Sequence, residues 1–545
     1  MLSDHGMKAI PLIDLFAGPG GLCEGFSHEL EGVHPFRAVL SIEKDEVAHK
    51  TLELRAFVHY YMRNGVELPA EYYSYVSGNL DRDKLFAIHK KAAAEAKEVA
   101  WRAELGGTKV SKVDFDARIR KALNGEKAWL LIGGPPCQAY SLAGRSRSVG
   151  GIKNKEAISR EEAEVEFNKD PRQRLYRQYL RVIAVHSPAV FVMENVAGML
   201  SAKVDGKPIF PQILCDLKSP AQVAKRYFQE LRNIATEQRH SYHIFSFVTG
   251  KEEDSEHGEK FLIKAEEYGV PQCRHRVILL GIRDDFYDAK LEIKSLGKSD
   301  IHRTVSDAIG DLPKVFSSVS SKRSTMDVKW DAYISSIRDS AVFKELDKQV
   351  RGEILAAESV RKTLRGDGRI RNWKHNASTL NGWYDDANLV NPLNHEPRSH
   401  MPSDLWRYLF VASYGTVHGR SPVIANFPEG LLPAHSNIQQ GSEKKPQDFA
   451  DRFKVQLWNK PSSTVTSHIS KDGHYFIHPD PVQCRSLTVR EAARLQTFPD
   501  NYFFEGNRTQ QYHQVGNAVP PYLAYQLAKI VYGIFLCNRE GGQRG

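Results

Sequence analysis

A chain of 545 residues that is 41% hydrophobic and 26% charged has ordinary globular composition and room for at least two domains with substantial cores, which excludes a largely disordered chain. Its 75 basic against 66 acidic residues leave a formal charge of +9, a tilt toward a polyanionic partner. The cysteines (Cys23, Cys137, Cys215, Cys273, Cys484, Cys537) form no CxxC or Cys/His spacing, so no disulfide framework or metal site is expected, and the lack of a signal-like start or a long apolar run points to a cytoplasmic chain with no membrane partner.

From Ile10, short apolar runs alternate with helical periodicity. Ile10 to Phe16 reads as a strand, Ala17 to Gly21 as a glycine-rich turn and Leu22 to Leu30 as a helix. Backbone at such glycines approaches a ligand closely while the helix N-terminus faces it, so a nucleotide-like ligand is expected. Cys23 stands where the dinucleotide fingerprint wants a glycine, which disfavours NAD. Ala38 to Ile42 is the next strand, and Glu43 at its end either accepts from ribose hydroxyls or is a plain surface carboxylate. Residues 84–105, rich in Ala, Lys and Glu, read as an exposed inserted helix.

Ala128 to Ile132 reads as a buried strand that delivers Gly133-Gly134-Pro135-Pro136-Cys137-Gln138-Ala139-Tyr140-Ser141. Two prolines fix φ and keep their predecessors extended, so Cys137 is held at a strand mouth, either as a nucleophile or as a buried structural thiol. A helix over Leu175 to Val185 and a strand over Ala189 to Met193 follow, and Glu194-Asn195-Val196 opens on the same rim. There Glu194 is a general acid or a solvated carboxylate. Lys251 to Lys260 is a charge-dense loop, and Gln272 to Arg276 leads into the apolar run Val277 to Gly281. Strand alternation puts Arg274 and Arg276 on one face, a pair suited to an anion, though either alone reads as a surface charge.

The alternation gives an α/β class with a doubly wound, mostly parallel sheet. It stops after Asp307 to Pro313, and a second, smaller region without clean periodicity begins. Within it, Arg361 to Lys374 packs six cations around Trp373, as phosphate contacts or as a solvated loop, and Asn394 to His400 is offered to base edges. Order returns at Thr488 and Glu491, a capping box ahead of an apolar face, and a last helix runs from Pro520 toward Leu536.

In this order the segments resemble the DNA (cytosine-5) methyltransferases of bacterial or phage type. The likeness is carried by Asp14 to Gly21, Pro135-Pro136-Cys137-Gln138, Glu194-Asn195-Val196, Gln272-x-Arg274-x-Arg276, Arg485 to Asp500 and Gln514 to Pro521, over roughly 8–313 and 455–537. It implies a Rossmann-like, S-adenosylmethionine-dependent catalytic domain over 1–313, a target recognition domain over 314–484, and a scaffold segment with a returning C-terminal helix over 485–545. The implied reaction is methyl transfer to C5 of a flipped-out cytosine in double-stranded DNA through a covalent bond from Cys137 to C6. Glu194, Arg274 and Arg276 are its further catalytic residues, and Gln138 and Ser141 position the loop.

For the cofactor the resemblance implies Phe16, Gly18, Gly20, Gly21, Leu22, Glu43, Pro136, Leu175 in Asp170-x-Arg172-x-x-Leu175, Asn517 and Val519, and no metal. Gly78-Asn79-Leu80 falls where the family has Gly-Asp-Ile, so Asn79 and Leu80 are taken for the adenine end, with an amide in place of the acid. A separately encoded restriction endonuclease or defence protein is the implied partner and the nucleoid the place of action. Rival readings are a tRNA cytosine-5 methyltransferase, opposed by the long insert, a DNA-binding module with a dead site, opposed by the intact Cys137, Glu194, Arg274 and Arg276, and a dehydrogenase.

Overall fold

The computed structural model describes residues 8–136, 171–204, 207–231, 240–319, 330–364, 373, 379–432 and 453–541. The chain divides into two compact units, one of residues 1–268, 275–299 and 518–545 and one of 269–274 and 300–517. No helix among the described residues is long and apolar enough to cross a membrane.

The first unit is built on a sheet of eight strands: β1 (Ile10–Leu15), β2 (Phe36–Glu43), β3 (Ala100–Arg102), β4 (Leu130–Gly133), β5 (Val190–Val196), β6 (Tyr242–Ser246), β7 (Leu262–Lys264) and β8 (His275–Arg283). Their order is β3-β2-β1-β4-β5-β8-β6, with β7 also paired to β8. The first five strands pair in parallel and β8 runs antiparallel to its three neighbours. Helices α1 (Gly21–Phe26), α2 (Glu46–Arg63), α3 (Lys112–Leu123) and α4 (Pro171–His186) link the parallel strands. Residues of β1 and β4 are buried along their whole length, which is why those strands, Asp14 apart, read as apolar runs. Leu15, Leu131, Phe191, Ile183 and Leu279 pack into one core.

One expectation fails here. Residues 84–105 are not a single helix: Arg82–Ile88 and Lys90–Val99 are helical, and the chain then enters β3 on the edge beside β2. Three residues following an Ala-rich helix carry no period of their own, so the strand exists only through its pairing. The helix expected over Leu22 to Leu30 is also shorter, ending at Phe26.

The C-terminal helix Pro521–Gly541 returns to α1. A Cβ at Gly25 would stand 2.3 Å from the Pro521 carbonyl oxygen, and one at Gly21 would stand 2.2 Å from that of Val519. Only glycine permits backbones this close. The chain end is thereby fixed against the turn that follows β1.

The second unit is largely helical, with α5 (Lys348–Thr363), α6 (Pro402–His418), α7 (Val489–Leu495) and α8 (Arg508–Asn517). Val350, Ile354, Leu405, Leu409, Val455 and Ile477 form its core. The capping box at α7 is present: the Thr488 side chain accepts from the Glu491 amide, and Glu491 accepts from the Thr488 amide at 2.7 Å. Three arginines around it are fully buried. Arg485 binds both oxygens of Glu491, Arg490 donates to the carbonyls of Leu393, Pro499 and Tyr502, and Arg494 binds both oxygens of Asp500.

Two sequence readings in this unit are corrected. Asn394, His395 and His400 are buried rather than offered to DNA: Asn394 bonds the Phe504 backbone, His395 is held between Thr488 and the Pro313 carbonyl, and His400 lies on Ser486. Burial holds the last two histidines below their ordinary pKa, so they are neutral. In the basic run, Arg361 is buried and donates to the carbonyls of Pro481 and Val482, Lys362 pairs with Glu358 at 2.9 Å, and Trp373 is buried. The other four cations of that run lie outside the described residues.

Candidate active site

Register places the site. Ile42 of β2, Leu15 of β1, Gly133 of β4 and Met193 of β5 form one row across the parallel strands. The residues that follow each of them, Glu43, Phe16, Gly134 and Glu194, therefore lie along one carboxyl edge of the parallel strands, with Glu43 and Glu194 still paired to β3 and β8. The strand order also reverses between β1 and β4, the point at which open α/β sheets bind their ligands.

At the β1 end the backbone turns back sharply. Phe16 is held at φ +57°, a strained value for an aromatic residue, and Gly18 and Gly20 take φ of +57° and +96°. Glu43 organises this turn. One of its carboxylate oxygens accepts from the Gly18 amide at 2.9 Å and the other from the Asp45 amide at 2.8 Å, and Asp45 in turn caps α2. Each oxygen keeps lone-pair capacity for a further donor. A Cβ built on Gly18 meets nothing within 4 Å, so the backbone here is open to a ligand, while Leu22 is buried behind it. An exposed turn backbone, a helix N-terminus and an acidic acceptor on the next strand form a set that fits a nucleoside, its hydroxyls donating to the acid and an anionic group accepting from the backbone amides.

Beneath this turn Asp14 is buried, and burial, then the charge of Glu43, raises its pKa well above the carboxylate range. Burial, then Asp14, pushes the Cys23 thiol up to about 12, so this cysteine packs rather than reacts.

At the β4 and β5 ends, the loop leading to Cys137 is locked onto the next strand. The Asn195 side chain, itself buried, donates to the Pro135 carbonyl at 3.2 Å and accepts from the Val196 amide at 2.9 Å. A Cβ on Gly134 would stand 2.7 Å from Glu194 Oε2, so the bare glycine leaves just enough room for that carboxylate. Glu194 is paired with Arg276 on β8, Oε1 to Nε at 2.7 Å, each side chain being 14% exposed. Arg276 also donates to the His275 carbonyl at 2.8 Å. Pro136 is described, whereas Cys137, Gln138 and Ser141 lie outside the described residues.

Arg274 does not share a face with Arg276. It falls in a break between the short strand Gln272–Cys273, which pairs with Ser462–Ser463, and β8. Its buried guanidinium donates to the carbonyls of Val465 at 2.8 Å and Gly516 at 3.4 Å, within the second unit. Alternation fails because the two arginines belong to different strands' surroundings.

The remaining expected cofactor residues are spread out. Gly78-Asn79-Leu80 lies on a turn between the helices Ala70–Val76 and Arg82–Ile88, with Asn79 exposed and off the sheet. The strand beside β2 is instead β3, where Arg102 pairs with Glu43 and the Ala103 amide donates to the Glu43 carbonyl at 3.1 Å. The residues leaving that rim are Ala103, Glu104 and Leu105. An acid followed by an aliphatic residue was legible there, but only the strand pairing ranks it above Asn79-Leu80. Leu175 is half-buried on α4, Val519 is buried, and Asn517 is exposed at the end of α8 beside His513.

With this geometry in hand, comparison with known proteins is decisive. A family model for C-5 cytosine-specific DNA methylases matches residues 100–220 and 257–532. The chain belongs to that family. This methyltransferase is 32% identical over 536 residues to Type II methyltransferase M.Bpa9945I of Bacillus paralicheniformis, covering 95% of its own length and 98% of the relative's. It is 25% identical over 536 residues to Type II methyltransferase M.DdeI of Desulfomicrobium norvegicum, covering 96% and 89%. To DNA (cytosine-5-)-methyltransferase M.ApeKI of Aeropyrum pernix it is 24% identical over 448 residues, covering 77% and 83%. The enzyme methylates C5 of cytosine in DNA, with S-adenosylmethionine as methyl donor.

Proposed function

We propose that the methyltransferase acts on a cytosine flipped out of double-stranded DNA through a covalent bond from Cys137 to C6. The observation that carries this is the shared rim: the loop toward Cys137, clamped by Asn195, leaves the sheet beside Glu194 and its partner Arg276. C5 of cytosine is a poor nucleophile, and addition of the Cys137 thiolate to C6 makes it enamine-like. Glu194 holds and protonates N3, drawing density from the ring, while Arg276 stabilises O2 and supports the thiolate. S-adenosylmethionine supplies the methyl group to C5 once the ring is so activated. Loss of the C5 proton then expels Cys137. Flipping costs a few kcal/mol of stacking, offset by contacts to the extruded base.

A duplex carrying 5-fluorocytosine at the target position tests this, because fluorine cannot leave as the proton does. The wild-type enzyme with S-adenosylmethionine is expected to give a denaturation-resistant complex with the duplex, and Cys137→Ala none. Trapping by the alanine variant, or none by wild type on a duplex it methylates, would overturn the covalent reading.

For the cofactor, Phe16, Gly18, Gly20, Gly21, Leu22 and Glu43 would hold the nucleoside, and the family resemblance adds Pro136, Leu175, Asn517 and Val519. We assign the adenine end to Glu104 and Leu105 rather than to Asn79 and Leu80, on the strength of the β2 to β3 pairing. Glu104→Ala is expected to raise the KM for S-adenosylmethionine about tenfold, in line with one lost hydrogen bond to a polar ligand group, and Asn79→Ala to leave it within about twofold. The reverse pattern in steady-state kinetics would restore Asn79.

Residues 314–484 are proposed to choose the DNA sequence. A separately encoded endonuclease or defence protein, and action at the nucleoid, complete the reading. Bisulfite sequencing of DNA from cells expressing the enzyme reports the modified context directly.

A further inference from the structure

The C-terminal end of α6 presents an arginine that the protein does not use for its own hydrogen bonding. Helix α6 stops at Gly419, whose φ of +61° and amide bond to the Gly415 carbonyl at 2.9 Å close the last turn. The chain is pinned again two residues on. There the Ser421 hydroxyl donates to the Phe453 carbonyl at 3.4 Å and accepts from the Val455 amide at 3.2 Å. Arg420 therefore stands on backbone fixed at both sides, with its side chain exposed.

Its guanidinium is steadied but not neutralised. It lies over the Tyr414 ring, 5.6 Å from the centroid, and the His418 ring sits against the same tyrosine at 4.2 Å. A ring contact of this kind limits the motion of a guanidinium and uses none of its five N–H donors. Among the described residues no carboxylate pairs with Arg420 and no oxygen accepts from it. Arg485, Arg490 and Arg494 of the same unit differ, because each spends its donors on carboxylates or carbonyls inside the protein. His418, in the last turn, offsets the helix dipole and so has a role without any ligand. Arg420 lies beyond the helix and has no such role.

A further cation stands beside it. The exposed Lys460 reaches the Gly419 carbonyl at 3.4 Å, which leaves two of its three donors for another acceptor. Lys460 precedes the strand Ser462–Ser463, whose partner Gln272–Cys273 continues in sequence to Arg276.

Duplex DNA offers acceptors of two kinds: phosphate oxygens at every step, and base edges in the grooves. In the major groove O6 and N7 of guanine match the guanidinium fork in a bidentate pair. A lysine on a flexible stem suits a phosphate, whereas a guanidinium on fixed backbone, steadied by a ring, suits a base edge that must be met in one geometry. Resting on the reading that residues 314–484 choose the DNA sequence, we propose that Arg420 reads a guanine of the recognition site, outside the target base pair, through O6 and N7 in the major groove. Lys460 takes a flanking phosphate.

Single-turnover methylation of the recognised duplex, with each guanine replaced in turn by 7-deazaguanine, tests this, because that base keeps O6 and lacks the N7 acceptor. At one position the replacement is expected to slow the wild-type enzyme about tenfold and Arg420→Ala by no more than about twofold. Bisulfite sequencing of random-sequence DNA treated with Arg420→Ala is expected to show degeneracy at that same position. Arg420→Lys keeps the charge and loses the fork, so it is expected to bind DNA within about threefold of wild type and to share the degeneracy. Three results would overturn the proposal: equal 7-deazaguanine effects in wild type and Arg420→Ala at every guanine, an unchanged sequence context in Arg420→Ala, or a loss uniform across sequences that Arg420→Lys repairs, which is the behaviour of a phosphate contact. Cross-linking of duplexes carrying 4-thiothymine beside the target separates this from the reading beneath it. Adducts within residues 314–484 keep that region on the DNA even where Arg420 fails, and adducts found only elsewhere would overturn both.

Discussion

Replacing Gly134 with alanine is expected to lower kcat for methyl transfer about 100-fold while leaving the fold and the affinity for S-adenosylmethionine nearly unchanged. The new Cβ would lie 2.7 Å from Glu194 Oε2 and 3.3 Å from the Glu194 carbonyl oxygen, well inside contact distance for the first. Something must move by several tenths of an ångström. A carboxylate is the end of a flexible side chain, so the protein accommodates the methyl group cheaply, and a loss of thermal stability of no more than about 1 kcal/mol is expected. The reaction is less tolerant. If Glu194 moves, its pairing with Arg276 at 2.7 Å is disturbed; if the loop moves, the Asn195 bond to Pro135 carries Cys137 off line. Misplacement on this scale typically costs about 100-fold in rate. Rapid-quench single-turnover kinetics on cognate duplex separates this from binding, and a variant with near wild-type single-turnover rate would show that the Glu194 carboxylate tolerates displacement. Glu194→Gln serves as the reference for complete loss of the acid.

That glycine illustrates what could be read in the sequence and what could not. The strand, turn and helix from Ile10 onward, the buried strand before Gly133 and the polar pair after Met193 were all visible, because a parallel sheet covered on both faces writes itself as short apolar runs. Which residues share the rim follows once those strands are aligned. Features that depend on a partner far along the chain were not visible. β3 is three residues long and is a strand only because β2 lies beside it. Arg274, Arg361 and His395 carry surface chemistry in their letters, yet each is buried against carbonyls or a hydroxyl supplied from about 80 to 240 residues away. A cation's role is set by which acceptors face it, and one strand's periodicity does not encode them.

The buried arginines of the second unit give the largest expected effect on stability. Arg494 is fully buried; Nε and Nη2 bind the two oxygens of Asp500 at 2.8 and 2.7 Å, and Nη1 reaches Asp311 and the Ala308 carbonyl. Tyr384 and Trp373 flank the guanidinium, with ring centroids 5.1 and 5.6 Å away. Forming such a cluster costs desolvation, but breaking it costs more, because Asp500 is itself fully buried and would lose its cation. Arg494→Met keeps much of the volume and removes the charge, and is expected to destabilise the protein by about 3–5 kcal/mol, a large share of the 5–15 kcal/mol typical of a folded domain. Urea denaturation followed by tryptophan fluorescence should show the midpoint falling accordingly. Adding Asp500→Asn should recover part of the loss, since an amide is far cheaper than a carboxylate to leave without its cation. A single substitution costing less than about 1 kcal/mol, or a double variant no better than the single, would mean that the charge pair contributes little beyond packing. Since Gln272 donates to the Leu495 carbonyl, and its side-chain oxygen accepts from the Val465 amide, loosening α7 should also loosen the strand that leads to Arg274. The double variant should then recover methyl transfer in proportion to its recovered stability, rather than restore folding alone.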